Sequence, residues 1–138
     1  MPTTVAAPKK KKVPAKHEDF LPLEGTDHIE FYVGNAKQAA HFYQSALGFQ
    51  PVAYSGPETG VRERASYVVR QNKITFVLTT PLRAKHTVSD HILKHGDGVK
   101  AIALKVKDAT SSWKETTKRG GKNSVSYTHL TLPTNREV

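Results

Sequence analysis

Asp27-His-Ile-Glu-Phe-Tyr-Val-Gly34, followed by Asn35-Ala-Lys-Gln-Ala-Ala-His-Phe-Tyr-Gln-Ser-Ala-Leu-Gly48, is the stretch that decides the fold of this chain. Its first half alternates apolar and polar residues with the period of two that is typical of a strand with one buried face. Its second half starts with an asparagine that can cap a helix and ends with a glycine that tolerates the left-handed conformation of a helix end. We therefore predict a strand over Thr26–Val33 and a helix over Ala36–Leu47, which packs on the sheet through small and apolar side chains.

Further segments continue this alternation of strand and helix patterns. Three strands complete a βαβββ module, and a short helix then leads to a second strand and helix. These elements are predicted at Phe49–Tyr54, Arg62–Arg70, Ile74–Thr79, Asp90–His95 (capped by Ser89), Val99–Val106 and Ala109–Lys118 (capped by Asp108), with a hairpin turn at Gln71-Asn72. The sequence thus predicts an α+β fold made of one βαβββ module plus an incomplete second module.

Composition narrows the class of protein. The 138 residues suffice for one domain, include no cysteine for a disulfide or thiolate site, and contain no apolar run near the roughly 20 residues that cross a bilayer. Of the net charge of +9, five charges come from residues 1–16, which leaves +4 for the rest of the chain. We expect no membrane partner and a cytoplasmic location.

The leader, residues 1–19, combines a lysine run with three prolines, and we predict that it is disordered. Its segment Pro8-Lys-Lys-Lys-Lys-Val13 resembles a nuclear-import signal, and lysine clusters also bind phosphate backbones. No aromatic residue interleaves with these lysines to stack on bases, so we expect no nucleic-acid partner.

Four runs between about Asp19 and Lys122 are long and unusual in composition. They are His28-Ile-Glu-Phe-Tyr-Val-Gly-Asn-Ala-Lys-Gln-Ala-Ala40, Leu47-Gly-Phe-Gln-Pro-Val-Ala-Tyr54, Gly56-Pro-Glu-Thr-Gly60 and Lys94-His-Gly-Asp-Gly-Val-Lys100. In sequence and in order, these runs resemble the N-terminal domain of the 4-hydroxyphenylpyruvate dioxygenase family, which belongs to the vicinal-oxygen-chelate, or glyoxalase-like, superfamily of βαβββ modules.

The resemblance implies an Fe(II)-dependent dioxygenase, a metal-binding oxidoreductase of tyrosine and phenylalanine catabolism that converts 4-hydroxyphenylpyruvate and O2 to homogentisate and CO2. It also implies a homo-oligomer and an iron site of two histidines and one carboxylate in a C-terminal domain. Because the family's enzymes are much longer, we expect this chain to be a fragment whose residues 20–123 form a truncated N-terminal domain. We assign it no catalytic, cofactor-binding or metal-binding residue, and we predict that it is inactive by itself.

The last segment of the chain, residues 124–138, departs from the family's sequence. Val125-Ser-Tyr-Thr-His-Leu-Thr-Leu-Pro-Thr134 is similar to one reading frame of a transposase-type sequencing adapter, and the four residues after it fit the index and constant segment that would follow. We therefore expect a non-native tail. The alternative is a genuine strand, since Val125, Tyr127 and Leu130 favour β-structure.

Histidines are the first candidates for a metal site. By resemblance, His28 lies where catalytic modules of the superfamily place a metal-binding histidine, but its counterpart in the second module is Ala101, which has no donor atom. We predict a vestigial or hydrogen-bonding role for His28. His91 and His95 are four residues apart on the short helix and could share a metal ion, but no third ligand lies near in sequence. We expect no metal at either place.

The remaining polar candidates are predicted to have surface or structural roles. His41 falls on the exposed side of the first helix, and Glu30 and Glu58 are single carboxylates without a predicted partner. The glycines form no phosphate-binding loop, and Glu63 interrupts the basic residues of the third strand. These glycines and arginines are Gly56, Gly60, Gly96, Gly98, Arg62, Arg64 and Arg70.

Two other functions stay open at this point. A self-standing glyoxalase- or bleomycin-resistance-like protein could bind a small aromatic ligand if a dimer completed its sheet. Alternatively, the lysine-rich leader could bind nucleic acid, with an affinity that falls as salt concentration rises.

Overall fold

The computed structural model describes residues 18–123, which form a five-stranded sheet with the strand order β2-β3-β4-β1-β5. The elements are β1 (Leu23–Tyr32), α1 (Ala36–Leu47), β2 (Gln50–Ser55), β3 (Arg64–Gln71), β4 (Ile74–Pro81), α2 (Thr87–His95), β5 (Gly98–Val106) and α3 (Ala109–Lys118), with a short 3-10 turn at Pro57–Thr59. The predicted α+β fold is confirmed. Between residues 18 and 123, no helix has the length and hydropathy to cross a bilayer.

Strand β1 lies between the two halves of the sheet. It runs parallel to β4, with Ile29 beside Phe76, and antiparallel to β5, with Glu30 beside Ala101. The β2–β3 and β3–β4 pairs are antiparallel. The strand β5, which the sequence predicts to open a second module, therefore joins the same sheet at the edge of β1.

Helix α1 has the bounds that the sequence predicts, because both of its ends are capped. The Asn35 side chain accepts a hydrogen bond from the Gln38 backbone N–H, and Gly48 ends the helix with a φ of 75°. Asp108 caps α3 in the same way, through Thr110 and Ser111.

Several local predictions are wrong. The first strand begins at Leu23 rather than Thr26, and the turn between β3 and β4 is Asn72-Lys73 rather than Gln71-Asn72. Ser89 does not cap α2: the helix begins two residues earlier, His86 is its N-cap, and the Ser89 hydroxyl instead donates to the Arg83 carbonyl. The β4 strand does not end at Thr79 but continues through Pro81, whose position pairs with Arg64 of β3.

The core lies between α1 and one face of the sheet. Ala36 and Ala40 of α1 are fully buried there, whereas Ala46 and Leu47 in the last turn are exposed. Aromatic rings of Tyr43, Phe49 and Phe76 meet at centroid distances of 5.1–5.5 Å. The buried cluster consists of Val33, Ala36, Ala40, Phe49, Val69 and Leu78.

The second repeat is less well covered. Ile102 and Leu104 of β5 keep 61% and 50% of their surface exposed, and Trp113 of α3 is only half-buried. The predicted disordered leader lies outside the described residues apart from residues 18 and 19, and the predicted non-native tail lies outside them entirely.

Candidate functional site

The sheet face opposite α1 carries several polar strand residues, and we call it the open face. The strand register brings Glu30 and Tyr32 of β1 to this face, next to Thr79 of β4 and Ser66 of β3. A 2.8 Å hydrogen bond links the hydroxyls of Ser66 and Thr79. The arrangement follows from the period of two, because residues that alternate with the buried Phe31 and Val33 must point the other way.

Tyr32 sits where the open face meets α2. Its ring contacts that of His91 edge-on, with a centroid distance of 5.2 Å, and the Lys100 ammonium lies 5.8 Å from the ring centre. Burial raises the pKa of the Tyr32 phenol, the Glu30 carboxylate adds to the rise, and the Arg64 guanidinium opposes it. The phenol therefore stays protonated and can act only as a neutral hydrogen-bonding group at ordinary pH.

The iron site that the resemblance implies does not fit the residues of the open face. His28 uses Nδ1 to contact Asp27 at 2.7 Å, and its ring is about one third exposed. The β5 residues beside His28 and Glu30 are Ala103 and Ala101, neither of which offers a donor atom. Among residues 18–123, no three histidine, cysteine or acidic side chains come together as a metal would require.

The structure brings His91 and His95 together but adds no third ligand. Their ring centroids are 4.8 Å apart, and Nδ1 of His91 is shut off from solvent without a hydrogen-bond partner. His41 is exposed on α1, as predicted, where its Nε2 lies 3.2 Å from the Ser45 hydroxyl. Burial, His95 and Lys100 together lower the pKa of His91.

Glu58 is not the unpartnered carboxylate that the sequence predicts. It accepts a 2.6 Å hydrogen bond from the Tyr54 hydroxyl, which lowers the pKa of Glu58 and raises that of Tyr54 to about 12. The two residues are four apart, but the turn between them has no periodic pattern that would indicate their contact. Arg70, another predicted surface residue, donates from Nε to the Thr75 hydroxyl.

A groove of about 710 Å³ lies on the other side of the sheet, between α1 and the β1 and β5 strands. Two of its polar side chains already make hydrogen bonds: Asp97 accepts a 2.8 Å hydrogen bond from the Gly34 backbone, and Asn35 caps α1. The exposed Phe42 side chain also lines the groove. These two hydrogen bonds therefore hold the groove's own backbone rather than a ligand.

A βαβββ module whose first strand pairs with the first strand of a second repeat defines a vicinal-oxygen-chelate, glyoxalase-like domain. Comparison with known proteins narrows the class further. A model of the family described as "Hydroxyphenylpyruvate dioxygenase, HPPD, N-terminal" matches residues 17–136, and the chain belongs to this family.

Curated relatives agree with this assignment. The chain is 47% identical over 102 residues to the 4-hydroxyphenylpyruvate dioxygenase of Dictyostelium discoideum, covering 73% of this chain and 28% of that protein. It is 50% identical over 93 residues to the enzyme of that name from Sus scrofa, covering 67% and 24% respectively. The chain thus spans about a quarter of the length of these relatives.

Solved structures share the fold. A mutant of 4-hydroxymandelate synthase from Streptomyces coelicolor superimposes with a TM-score of 0.73 at 30% identity, over 78% of this chain and 33% of that one. Methylmalonyl-CoA epimerase from Mycobacterium tuberculosis gives a TM-score of 0.63 at 18% identity, over 78% and 71% respectively, which bears on the fold alone.

Proposed function

We propose that this chain is the N-terminal part of an Fe(II)-dependent 4-hydroxyphenylpyruvate dioxygenase. The complete protein would convert 4-hydroxyphenylpyruvate and O2 to homogentisate and CO2 in tyrosine and phenylalanine catabolism. The observation that carries the proposal is the family match over residues 17–136, together with 47–50% identity to relatives of that name. A cytoplasmic homo-oligomer is part of the same proposal.

The chain's own role in that enzyme is to form a scaffold domain, residues 20–123, rather than to hold the iron. The open face supports this role, because alanines stand beside both His28 and Glu30. When bound, iron would supply the activation of dioxygen. Residues 18–123 offer no set of side chains that fits that ion, which supports placing its ligands in the part of the relatives' length that this chain does not span.

A direct test assays the chain by itself. The 138-residue chain is incubated with ferrous ion, 4-hydroxyphenylpyruvate and O2, and homogentisate and oxygen uptake are measured beside the full-length Sus scrofa enzyme. We expect no homogentisate, no oxygen uptake and less than one bound iron ion per chain. Turnover by the chain alone would contradict the proposed scaffold role.

A chimera tests whether residues 20–123 can serve as the N-terminal domain of an active dioxygenase. Residues 20–123 replace the matching segment of the Sus scrofa enzyme, to which the chain is 50% identical. We expect the chimera to form homogentisate within about tenfold of the parent rate. The matched control places the corresponding segment of methylmalonyl-CoA epimerase, which shares the fold at 18% identity, in the same position and should be inactive. Equal failure of a folded chimera and of the control would refute the assignment and favour a self-standing binding protein.

A further inference from the structure

Helix α2 meets the sheet through imidazole rings. His86 caps the helix, because its Nδ1 accepts a 3.3 Å hydrogen bond from the backbone N–H of the fully buried Val88. One turn later, His91 packs edge-on against Tyr32 of β1 and lies 4.8 Å from the ring of His95. The contact between α2 and β1 therefore includes the His91 ring, and imidazole is the side chain whose charge depends most on its surroundings near physiological pH.

His91 can occupy its position only as a neutral ring. Its Nδ1 has no contact with solvent and no hydrogen-bond partner in the described part of the chain. When the ring proton is on Nε2, Nδ1 is an acceptor that receives no hydrogen bond. Protonation would place an N–H there without an acceptor, and a buried donor left unpaired is costly.

The charges around His91 oppose protonation as well. From β5, the Lys100 ammonium approaches the same Tyr32 ring that His91 contacts, and on α2 itself His95 adds a second imidazole. Strand β4, which also packs against α2, has no titratable side chain. Together with burial, which is the largest cause, His95 and Lys100 lower the pKa of His91.

Among the described residues, no carboxylate contributes to the pKa of His91. Glu30 of β1 acts on the Tyr32 phenol and does not contribute to the pKa of His91. Glu63 lies near His86 instead, with 3.9 Å between its Oε2 and the Nε2 of that ring. On the helix, Asp90 and Lys94 are both exposed.

We propose that α2 is a pH-sensitive latch: mild acidification charges His91, releases α2 from β1 and β4, and uncovers Tyr32 at the edge of the open face. The sign follows from linkage. Because the pKa of His91 is lowered in the attached state, the released state binds more protons, so attachment is complete above the ordinary histidine pKa of about 6.5 and is lost as pH falls below it.

Amide hydrogen exchange of the full chain tests the latch. Exchange of residues 87–95 is compared at pH 7.5 and pH 5.5 after correction for the intrinsic pH dependence of exchange. We expect protection of these amides to fall by roughly three- to tenfold at the lower pH, while protection in β3 and the β4 segment next to it stays the same. Unchanged protection of α2 between the two pH values would overturn the proposal.

Two variants identify the group responsible. His91→Phe keeps an aromatic edge against Tyr32 but cannot titrate, so most of the pH dependence of α2 should disappear. The control His41→Phe changes an exposed histidine of α1 and should leave it intact. If the α2 amides of His91→Phe are unprotected at both pH values, an NMR titration of wild-type His91 decides the question. A pKa at or above 6.5 overturns the latch. A lower pKa that coincides with the pH-dependent shifts of the α2 amides supports it.

Discussion

The Tyr54 hydroxyl donates a 2.6 Å hydrogen bond to Oε2 of Glu58 and lies directly over the backbone of Gly56. Gly56 itself is held in the turn by its N–H, which donates to the Thr59 hydroxyl, while that hydroxyl donates back to the Gly56 carbonyl. A tyrosine at the end of β2 thus closes the turn that leads to β3.

Removal of the Tyr54 hydroxyl should raise the pKa of Glu58. That pKa is lowered chiefly by the hydrogen bond from Tyr54, so in Tyr54→Phe it should return towards the ordinary value of 4.5, as followed by carboxyl NMR during an acid titration. The control is Tyr43→Phe, which removes a hydroxyl from α1 and should not change Glu58.

The same bond predicts how stability depends on pH. Its contribution is present above the ordinary Glu58 pKa, because the folded value is lowered, and is lost as pH falls through that folded value. At alkaline pH, the contribution of the bond is present below the ordinary tyrosine pKa of 10 and is lost as pH rises through the Tyr54 pKa of about 12. The stability difference between wild type and Tyr54→Phe should therefore be constant near neutral pH and shrink at both extremes. A difference that grows on acidification would contradict this assignment.

Gly56→Ala should destabilise the domain by about 1–3 kcal/mol. A Cβ at Gly56 would overlap the hydroxyl oxygen and ring of Tyr54, so the tyrosine must leave its position and lose Glu58. Chemical denaturation measures the loss. The matched control is Gly98→Ala, where an added Cβ meets nothing within 4 Å. In a double-mutant cycle, Tyr54→Ala should remove most of the penalty of Gly56→Ala, and additive effects would show that the overlap is not its cause.

Leu78→Ala should cost about 2–5 kcal/mol of the free energy of unfolding. Leu78 of β4 is completely buried in the cluster that packs against α1. Its truncation therefore leaves a cavity between the sheet and that helix. Leu93→Ala makes the same chemical change on α2 at a side chain that is 82% exposed, and it should change stability by less than about 0.5 kcal/mol. Equal effects of the two variants would contradict the placement of the core.

Sequence patterns predicted the parts of the fold that depend on local physics. The α1 and α3 helices have the predicted bounds because an Asx cap fixes each start, and the strands follow the period of two. The error at Ser89 has a physical reason as well: serine is a common cap, but here a histidine nitrogen takes that role, and composition could not indicate it. Contacts between strands, such as Glu30 beside Ala101, depend on register, which no single segment determines.

His28→Ala in the chimera should leave both iron content and the rate of homogentisate formation within about twofold of the unsubstituted chimera. The reason is geometric: the only polar side-chain contact that the described residues give His28 is Asp27, and Ala103 beside it on β5 has no donor atom. Iron is measured by atomic absorption and product by chromatography. His41→Ala, an exposed change on α1, serves as the control for a neutral substitution. A loss of iron in His28→Ala that His41→Ala does not share would place His28 among the metal ligands and refute a purely structural open face.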